Sequence, residues 1–331
     1  MQSSTTSFAG TACRLLAAVA CAAASVGAHG QGFPNKTIQI VVGFPAGNTL
    51  DVVSRLAAEH LRGKLGQPVI VVNKPGANGV LAATEVARAP ADGYMLLATN
   101  SSGMTVNPQI FKKLSYQLGD FAPVTMLTSA PLILVVNPAN ERTPSVRTLA
   151  DLVSVARARP GKLLYGSGGV GNITGLSFEM LGNRAGFKGT HVPYKGTGAA
   201  QIGLLGKEVD AFLDTPLAVP HVKAGKLSAL AVTGARRWRD LPDVPTIQES
   251  GYEGFDITFW LALMAPAQTP PGVIQAIHAA LGSLRDAPEL VRQLQVHGDV
   301  ELMGPQEFGA RIRSESAAWG EVIRRENIQL D

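Results

Sequence analysis

The sequence predicts an α/β fold of two lobes hinged about a cleft, with two long strands crossing between them. Three observations point there. A short strand, a glycine-containing loop and a helix recur in that order along most of the chain, the pattern of sheets covered by helices. Two longer apolar stretches, 121–136 and 256–265, interrupt that rhythm and read as the crossings. Finally, 331 residues at 46% hydrophobic, with 36 glycines, suffice to bury two cores of tightly turned layers.

Taken in order, residues 37–43 form an apolar, β-branched strand (Ile38, Ile40, Val41, Val42) that ends at Gly43, Pro45 and Gly47. Helix 50–65 follows, with Val52, Val53, Leu56, Ala57 and Leu61 on one face. Strand 68–72, loop 73–79, helix 80–89, strand 94–99 and loop 100–103 complete a first series with the character of a parallel sheet. In 121–136 two apolar runs, 121–127 and 132–136, flank Thr128, Ser129, Ala130 and Pro131. The second series runs through helix 146–159, strand 162–165, loop 166–171, helix 174–185, strand 190–192, loop 193–198, helix 199–205 and strand 209–213. A short helix to Ala224 and strand 228–232 end it. After the second crossing, helix 273–284 and a last helix opened by Pro305 form the tail, with Phe308, Ile312, Trp319 and Ile323 at helical spacing. Two crossings make the first lobe from both chain ends: 31–128 with 256–331, against 129–255 for the second.

The first thirty residues read as a signal peptide, 1–30. Arg14 precedes an apolar run, 15–26, that is too short to span a membrane, and Ala28 and Gly30 offer cleavage sites. Both cysteines, Cys13 and Cys21, fall in this segment, so the mature chain would have neither disulfides nor thiol chemistry. Processing at Cys21, in the setting AVAC, is the alternative and would leave a lipid-anchored protein. The expected location is the periplasm. A net charge of +4 with scattered lysines and arginines argues against a nucleic-acid partner.

Catalytic signatures are few. Residues 166–171 match G-x-G-x-x-G between a strand and a helix, but the next strand ends at Tyr194 and Lys195 without the acid a dinucleotide ribose requires. This loop is read as a helix N-terminus that binds a smaller anion. No serine sits in a nucleophile elbow, no P-loop is present, and the six histidines are dispersed, without metal-ligand spacing. No cofactor and no metal are expected. What remains is a set of strand-end loops, 44–51, 75–79, 100–103, 167–174, 194–198 and 214–216. They are rich in backbone N–H groups and in Asn, Ser and Thr. Such loops lie on one edge of each sheet, where open α/β sheets bind ligands. They replace the water shell of a carboxylate with fixed dipoles. Only Asp51 and Asp214 could act as a base, and each has a plain structural role available: a helix first turn for Asp51, an Asx-type turn for Asp214.

At this level of detail the sequence resembles the Bug-type (TctC-like) extracytoplasmic solute receptors of tripartite tricarboxylate transporters. The resemblance rests on GFPAGNTLD (43–51), VVNKPGANG (71–79), ADGYMLLAT (91–99), NPQIFKKLSY (107–116), DFAPV (120–124), YGSGGVGN (165–172), HVPYKGTG (191–198), FLDTP (212–216), AGKLSALAVT (224–233) and LPDVPTIQESG (241–251). It implies a type II-like periplasmic binding protein that closes on a small carboxylated organic anion and delivers it to transmembrane permease subunits. It also implies ligand contacts from Phe44, Ala46, Gly47, Asn48, Thr49 and Asp51; from Ala77, Asn78 and Gly79; and from Ser101 and Ser102. The second lobe's implied contacts are Ser167, Gly168, Gly169, Gly171 and Asn172, with Lys195, Gly196, Thr197 and Asp214. Three positions depart from the family pattern: Asn48 in place of a glycine, Gly175 in place of a histidine and Thr215 in place of an asparagine. The expected protein is a monomeric binding protein, not an enzyme. The alternatives are a receptor that reports its closure to a membrane sensor protein, and an enzyme on the same scaffold.

Overall fold

The computed structural model describes residues 32–326 and residue 328. The expected signal segment, with Cys13 and Cys21, lies outside the described residues. The chain divides into two units, Met1–Lys36 and Thr37–Asp331. Described residues 32–36 of the first carry no helix or strand, and the second holds every described element.

Two sheets organise the second unit. The first contains β1 (Ile38–Val42), β2 (Val69–Asn73), β3 (Met95–Asn100), β4 (Phe121–Pro131), β10 (Thr258–Pro266) and β11 (Asp299–Met303), in the order β11-β4-β10-β3-β1-β2. The second contains β5 (Ile133–Val136), β6 (Leu164–Ser167), β7 (Thr190–Pro193), β8 (Ala211–Asp214) and β9 (Ser228–Val232), in the order β7-β6-β8-β5-β9. The parallel character expected from the strand–loop–helix rhythm holds for β2-β1-β3 and for β7-β6-β8. The crossing strands correct it elsewhere. β10 runs against both β3 and β4, and β5 runs against both β8 and β9.

The helices are α1 (Thr49–Leu65), α2 (Val80–Ala87), α3 (Asn107–Ile110), α4 (Leu149–Ala158), α5 (Ile173–Ala185), α6 (Thr197–Leu205), α7 (Val219–Lys223), α8 (Pro271–Gly282), α9 (Pro288–Gln295) and α10 (Pro305–Arg325). A π-helical turn, Ser102–Val106, leads into α3 where the sequence suggested only a loop. α4 starts later than its apolar pattern implied because Thr148 caps it, accepting from Asp151 N while the Asp151 carboxylate accepts from Thr148 N. The core of the first lobe centres on Trp260, buried edge-to-face against Phe308 at 5.0 Å, its indole donating to Glu315 at 2.7 Å. Phe308, Ile312, Trp319 and Ile323 of α10 are all buried. A separate cluster around Phe212, Leu204, Val135 and Trp238 fills the second lobe.

Pairing places the cleft. β4 ends at Pro131 opposite Thr258, where β10 begins, and β5 begins at Ile133 opposite Asp214, where β8 ends. The chain therefore passes between the sheets at the edge where β1, β3, β6 and β8 all terminate. Thr233 fastens the two crossings together. Leu132 N donates to Thr233 Oγ1 at 2.8 Å, and that hydroxyl donates to Ile257 O at 2.6 Å. Main-chain bonds from Thr233 N to Leu132 O (2.9 Å) and from Ile257 N to Thr233 O (3.0 Å) complete the joint. Thr128, Ser129 and Ala130 belong to β4 rather than interrupting it, since ladder bonds form regardless of side-chain hydropathy.

Candidate functional site

The loop from β1 into α1 is shaped by Asp51. Its Oδ2 accepts from Gly47 N (2.9 Å) and Arg55 Nε (3.0 Å), and its Oδ1 accepts from Asn73 Nδ2 (2.8 Å). Arg55 Nη2 lies 2.9 Å from Oδ1. Burial alone would raise this carboxyl, but the Arg55, Gly47 and Asn73 donors together hold it below its ordinary range. Expected to touch the ligand, Asp51 instead has both oxygens engaged within its own lobe. Phe44 is buried, its carbonyl accepting from Asn73 Nδ2 at 3.0 Å. Ala46 and Gly47 are exposed at the rim. A Cβ at Gly43 would lie 2.6 Å from Gly79 Cα, so this loop and the one after β2 meet backbone to backbone.

Asn48 does two jobs. It caps α1, Oδ1 accepting from Leu50 N at 3.0 Å, and it reaches across the cleft, Nδ2 donating to Thr197 Oγ1 at 3.4 Å. Gly196 permits that approach: at φ +107 its missing Cβ would fall 2.8 Å from Asn48 Nδ2. Two further bonds cross the cleft, Asn172 Nδ2 to Asn78 Oδ1 (2.9 Å) and Ile173 N to Ser102 Oγ (2.9 Å). Ala77 and Asn78 both occupy the left-handed region, at φ +46 and +52, ahead of Gly79. Asn107 holds this turn, accepting from Asn78 Nδ2 at 3.0 Å and donating to Asn78 O at 3.3 Å. Nothing in its spacing distinguished Asn107 in the sequence.

The G-x-G-x-x-G loop, expected to be an anion-binding helix terminus, spends several of its N–H groups within its own lobe. Gly168 N donates to Thr174 Oγ1 (3.0 Å), Gly169 N to Ser167 Oγ (3.2 Å) and Thr174 N to Asn172 Oδ1 (3.1 Å). Ile173 N is the donor already held by Ser102. Gly171 lies between these residues at φ +74. Ser167 Oγ also donates to Gly169 O (3.0 Å) and lies 2.5 Å from His191 Nε2. His191 stacks on Tyr165, and burial lowers its pKa. The sequence offered no reason to pick it out. A Cβ at Gly175 would come within 3.1 Å of His191 Nε2, so the imidazole fills the space beside this glycine.

Lys195 is exposed, and Thr197 is buried at the start of α6. Asp214 is fully buried at the end of β8. Oδ2 accepts from Gln201 Nε2 (2.7 Å) and Oδ1 from Thr215 N (2.7 Å). Burial pushes its pKa up to about 7, against the smaller pull of those donors. Its neighbours are groups of its own lobe. Among the described residues of the first lobe three buried hydroxyls lack a hydrogen-bond partner: Thr269 Oγ1, just past β10, and, at the strand-end loops, Thr49 Oγ1 and Ser101 Oγ. Among the described residues no cluster of His, Cys, Asp or Glu could hold a metal ion, and no helix is long and apolar enough to cross a membrane.

Comparison with known proteins gives this arrangement a family. Residues 53–328 match the model of the tripartite tricarboxylate transporter family receptor. Protein BugT of Bordetella pertussis is 33% identical over 305 residues, covering 90% of this chain and 91% of that one. Among solved structures, the periplasmic binding protein BugD aligns with a TM-score of 0.83 at 30% identity, covering 90% of this chain and 99% of that one. Rpa4515 of R. palustris with adipate aligns at 0.84 and 30% identity, over 90% and 99% of the two chains. MatC of Rhodopseudomonas palustris with bound malate aligns at 0.82 and 31%, over 88% and 100%. The α/β architecture of two sheets is that of these two-lobed periplasmic binding proteins. This chain belongs to the tripartite tricarboxylate transporter receptor family.

Proposed function

We propose that the cleft captures one small organic acid by its carboxylate and that the chain presents it to the permease subunits of a tripartite transporter. The observation that carries this reading is the pair of unpartnered hydroxyls, Thr49 Oγ1 at the start of α1 and Ser101 Oγ directly after β3. A buried hydroxyl without a partner costs about 1–3 kcal/mol, a cost that a carboxylate accepting from both would offset. Adipate and malate in two relatives are ligands of that class. Asn48 from the first lobe meets Thr197 of the second, and Asn172 of the second meets Asn78 of the first, which supplies the closure, and Asp51, Asn73 and Asn107 shape the loops without touching ligand. With both Asp51 oxygens engaged and Asp214 satisfied inside its lobe, the cleft binds without transforming what it holds. The lobes divide at 31–128 with 256–331 against 129–255, with β4 of the first sheet running three residues past that boundary to Pro131, and the segment 1–30 directs export to the periplasm.

Thermal unfolding of the mature chain with a panel of mono-, di- and tricarboxylates tests this. A rise in Tm with at least one acid is expected. Thr49→Val with Ser101→Ala should leave the unliganded Tm unchanged or higher, because neither hydroxyl has a partner to lose. The same pair should weaken binding about tenfold or more. No shift across the panel, or full binding by the double variant, would overturn the reading.

A further inference from the structure

The pole of the second lobe opposite the cleft carries a separate cavity. β5 runs antiparallel to β8, so its last residue, Val136, pairs with Ala211 at the start of β8. The loop that follows, 137–148, therefore lies at the far edge of the sheet, with the starts of β6 and β8. Between this loop, α4 and those strand starts is a cavity of about 270 Å³, with Thr143, Val155 and Leu163 among its walls and Arg142, Arg159 and Lys162 around it.

Its charges are unequally matched. Asp210, the acid lining the cavity, is already satisfied: Oδ1 accepts from Arg142 Nε (2.6 Å) and Asn140 Nδ2 (2.9 Å), and Oδ2 from Leu164 N (2.9 Å). Arg142 balances that charge. Arg159 donates one N–H to the Arg142 carbonyl at 2.8 Å. Among the described residues neither Arg159 nor Lys162 has a carboxylate partner, which leaves two uncompensated cations at the mouth. A second observation is independent of charge. Thr143 is buried, and its Oγ1 has no hydrogen-bond partner, although its backbone N–H is held by Asn140 O at 3.0 Å. A hydrogen-bonded loop thus keeps an unsatisfied hydroxyl on the wall of a cavity that also holds two cations without carboxylate partners.

We infer that this cavity is a second binding site, for a small organic anion. Its carboxylate would sit between Arg159 and Lys162 and accept from the Thr143 hydroxyl, and a short hydrocarbon body would lie against Val155 and Leu163. The apolar walls and the size, about nine waters at about 30 Å³ each, favour an anion with a carbon skeleton over a bare oxyanion. The inference is independent of what the cleft binds, since the two sites lie at opposite edges of the sheet.

Succinate titrated into the ¹⁵N-labelled mature chain is the direct test, read at backbone amides. Saturable shifts at Thr143 and Leu163 are expected, distinct from any at Asn48 or Gly168. Arg159→Gln with Lys162→Gln, both exposed, should weaken the Thr143 and Leu163 response about tenfold or more while any cleft response persists. Thr143→Val should weaken it by a smaller factor. Inorganic phosphate, carrying charge without a carbon body, should shift these amides only at much higher concentration. Unmoved amides, a response undiminished in the double variant, or phosphate matching succinate would each overturn the proposal.

Discussion

Asp214→Asn is the perturbation whose size follows most directly from the structure. The carboxyl is fully buried, and its pKa is raised from 3.8 to about 7. The folded chain therefore binds a proton that the unfolded chain has lost across that interval. Stability contributed by this group is complete below 3.8, falls as pH rises and levels off above about 7. Fully developed, that difference corresponds to about 4 kcal/mol. Asparagine cannot ionise. Its carbonyl can still accept from Thr215 N, and a flipped Gln201 amide can accept from the new NH₂ group. Urea unfolding at a series of pH values from acid to mildly alkaline would give the difference in stability between variant and wild type, cancelling every other titrating group. That difference should be near zero at about pH 4 and should grow to a few kcal/mol in favour of asparagine by about pH 8, a Tm gain on the order of 5–10 °C. Parallel curves for the two proteins, or an asparagine variant less stable throughout, would refute the assignment of Asp214 as a buried, proton-holding group.

Three further outcomes are expected. Ala77→Gly should raise stability by about 0.5–1 kcal/mol, because alanine at φ +46 carries a penalty that glycine escapes; a loss of that size by thermal or chemical unfolding would contradict the strain. Thr233→Val, which deletes the hydroxyl joining Leu132 N to Ile257 O, should cost about 1–3 kcal/mol of unfolding free energy, and an unchanged urea midpoint would show that the joint matters little. Gly196→Ala should weaken binding of whichever carboxylate raises Tm by about tenfold in Kd, measured calorimetrically, because its Cβ would strike Asn48. Adding Asn48→Gly should restore affinity but not the stability lost to a strained φ, and failure of that rescue would place the defect elsewhere.

Much of the frame was legible in the sequence because periodicity and glycine placement are local signals. The strand-end loops, the two crossings and the buried stripe of α10 all follow from spacing within a few residues. Strand β11 was not legible: Asp299–Met303 is short and partly polar, and it is a strand because β4 offers it an open edge. The roles of the site residues were harder still. Asp51 was implied as a ligand contact by the family resemblance and otherwise read as a helix first-turn residue; its oxygens accept from Asn73 and Arg55, one of them a strand away. Asn107 and His191 owe their places to partners 29 and 24 residues distant, Asn78 and Ser167, and no window along the chain reveals such pairs. Asn48 was conspicuous for the opposite reason, since an asparagine interrupts a glycine-rich turn, and its side chain proves to cap a helix and bridge the cleft.

The fastening of both crossings to Thr233 has a mechanical consequence. Two tethers pinned at one point resist sliding of one lobe past the other and leave rotation as the soft motion between them. A pair of dyes, one at Leu81 after the second loop of the first lobe and one at Ile202 on α6, both on exposed side chains, would then track a single angle. Their energy transfer should move between two values as ligand is added, rather than spreading over a continuum. The receptor would behave as a lever with one fulcrum, and a single optical distance would suffice to read its state.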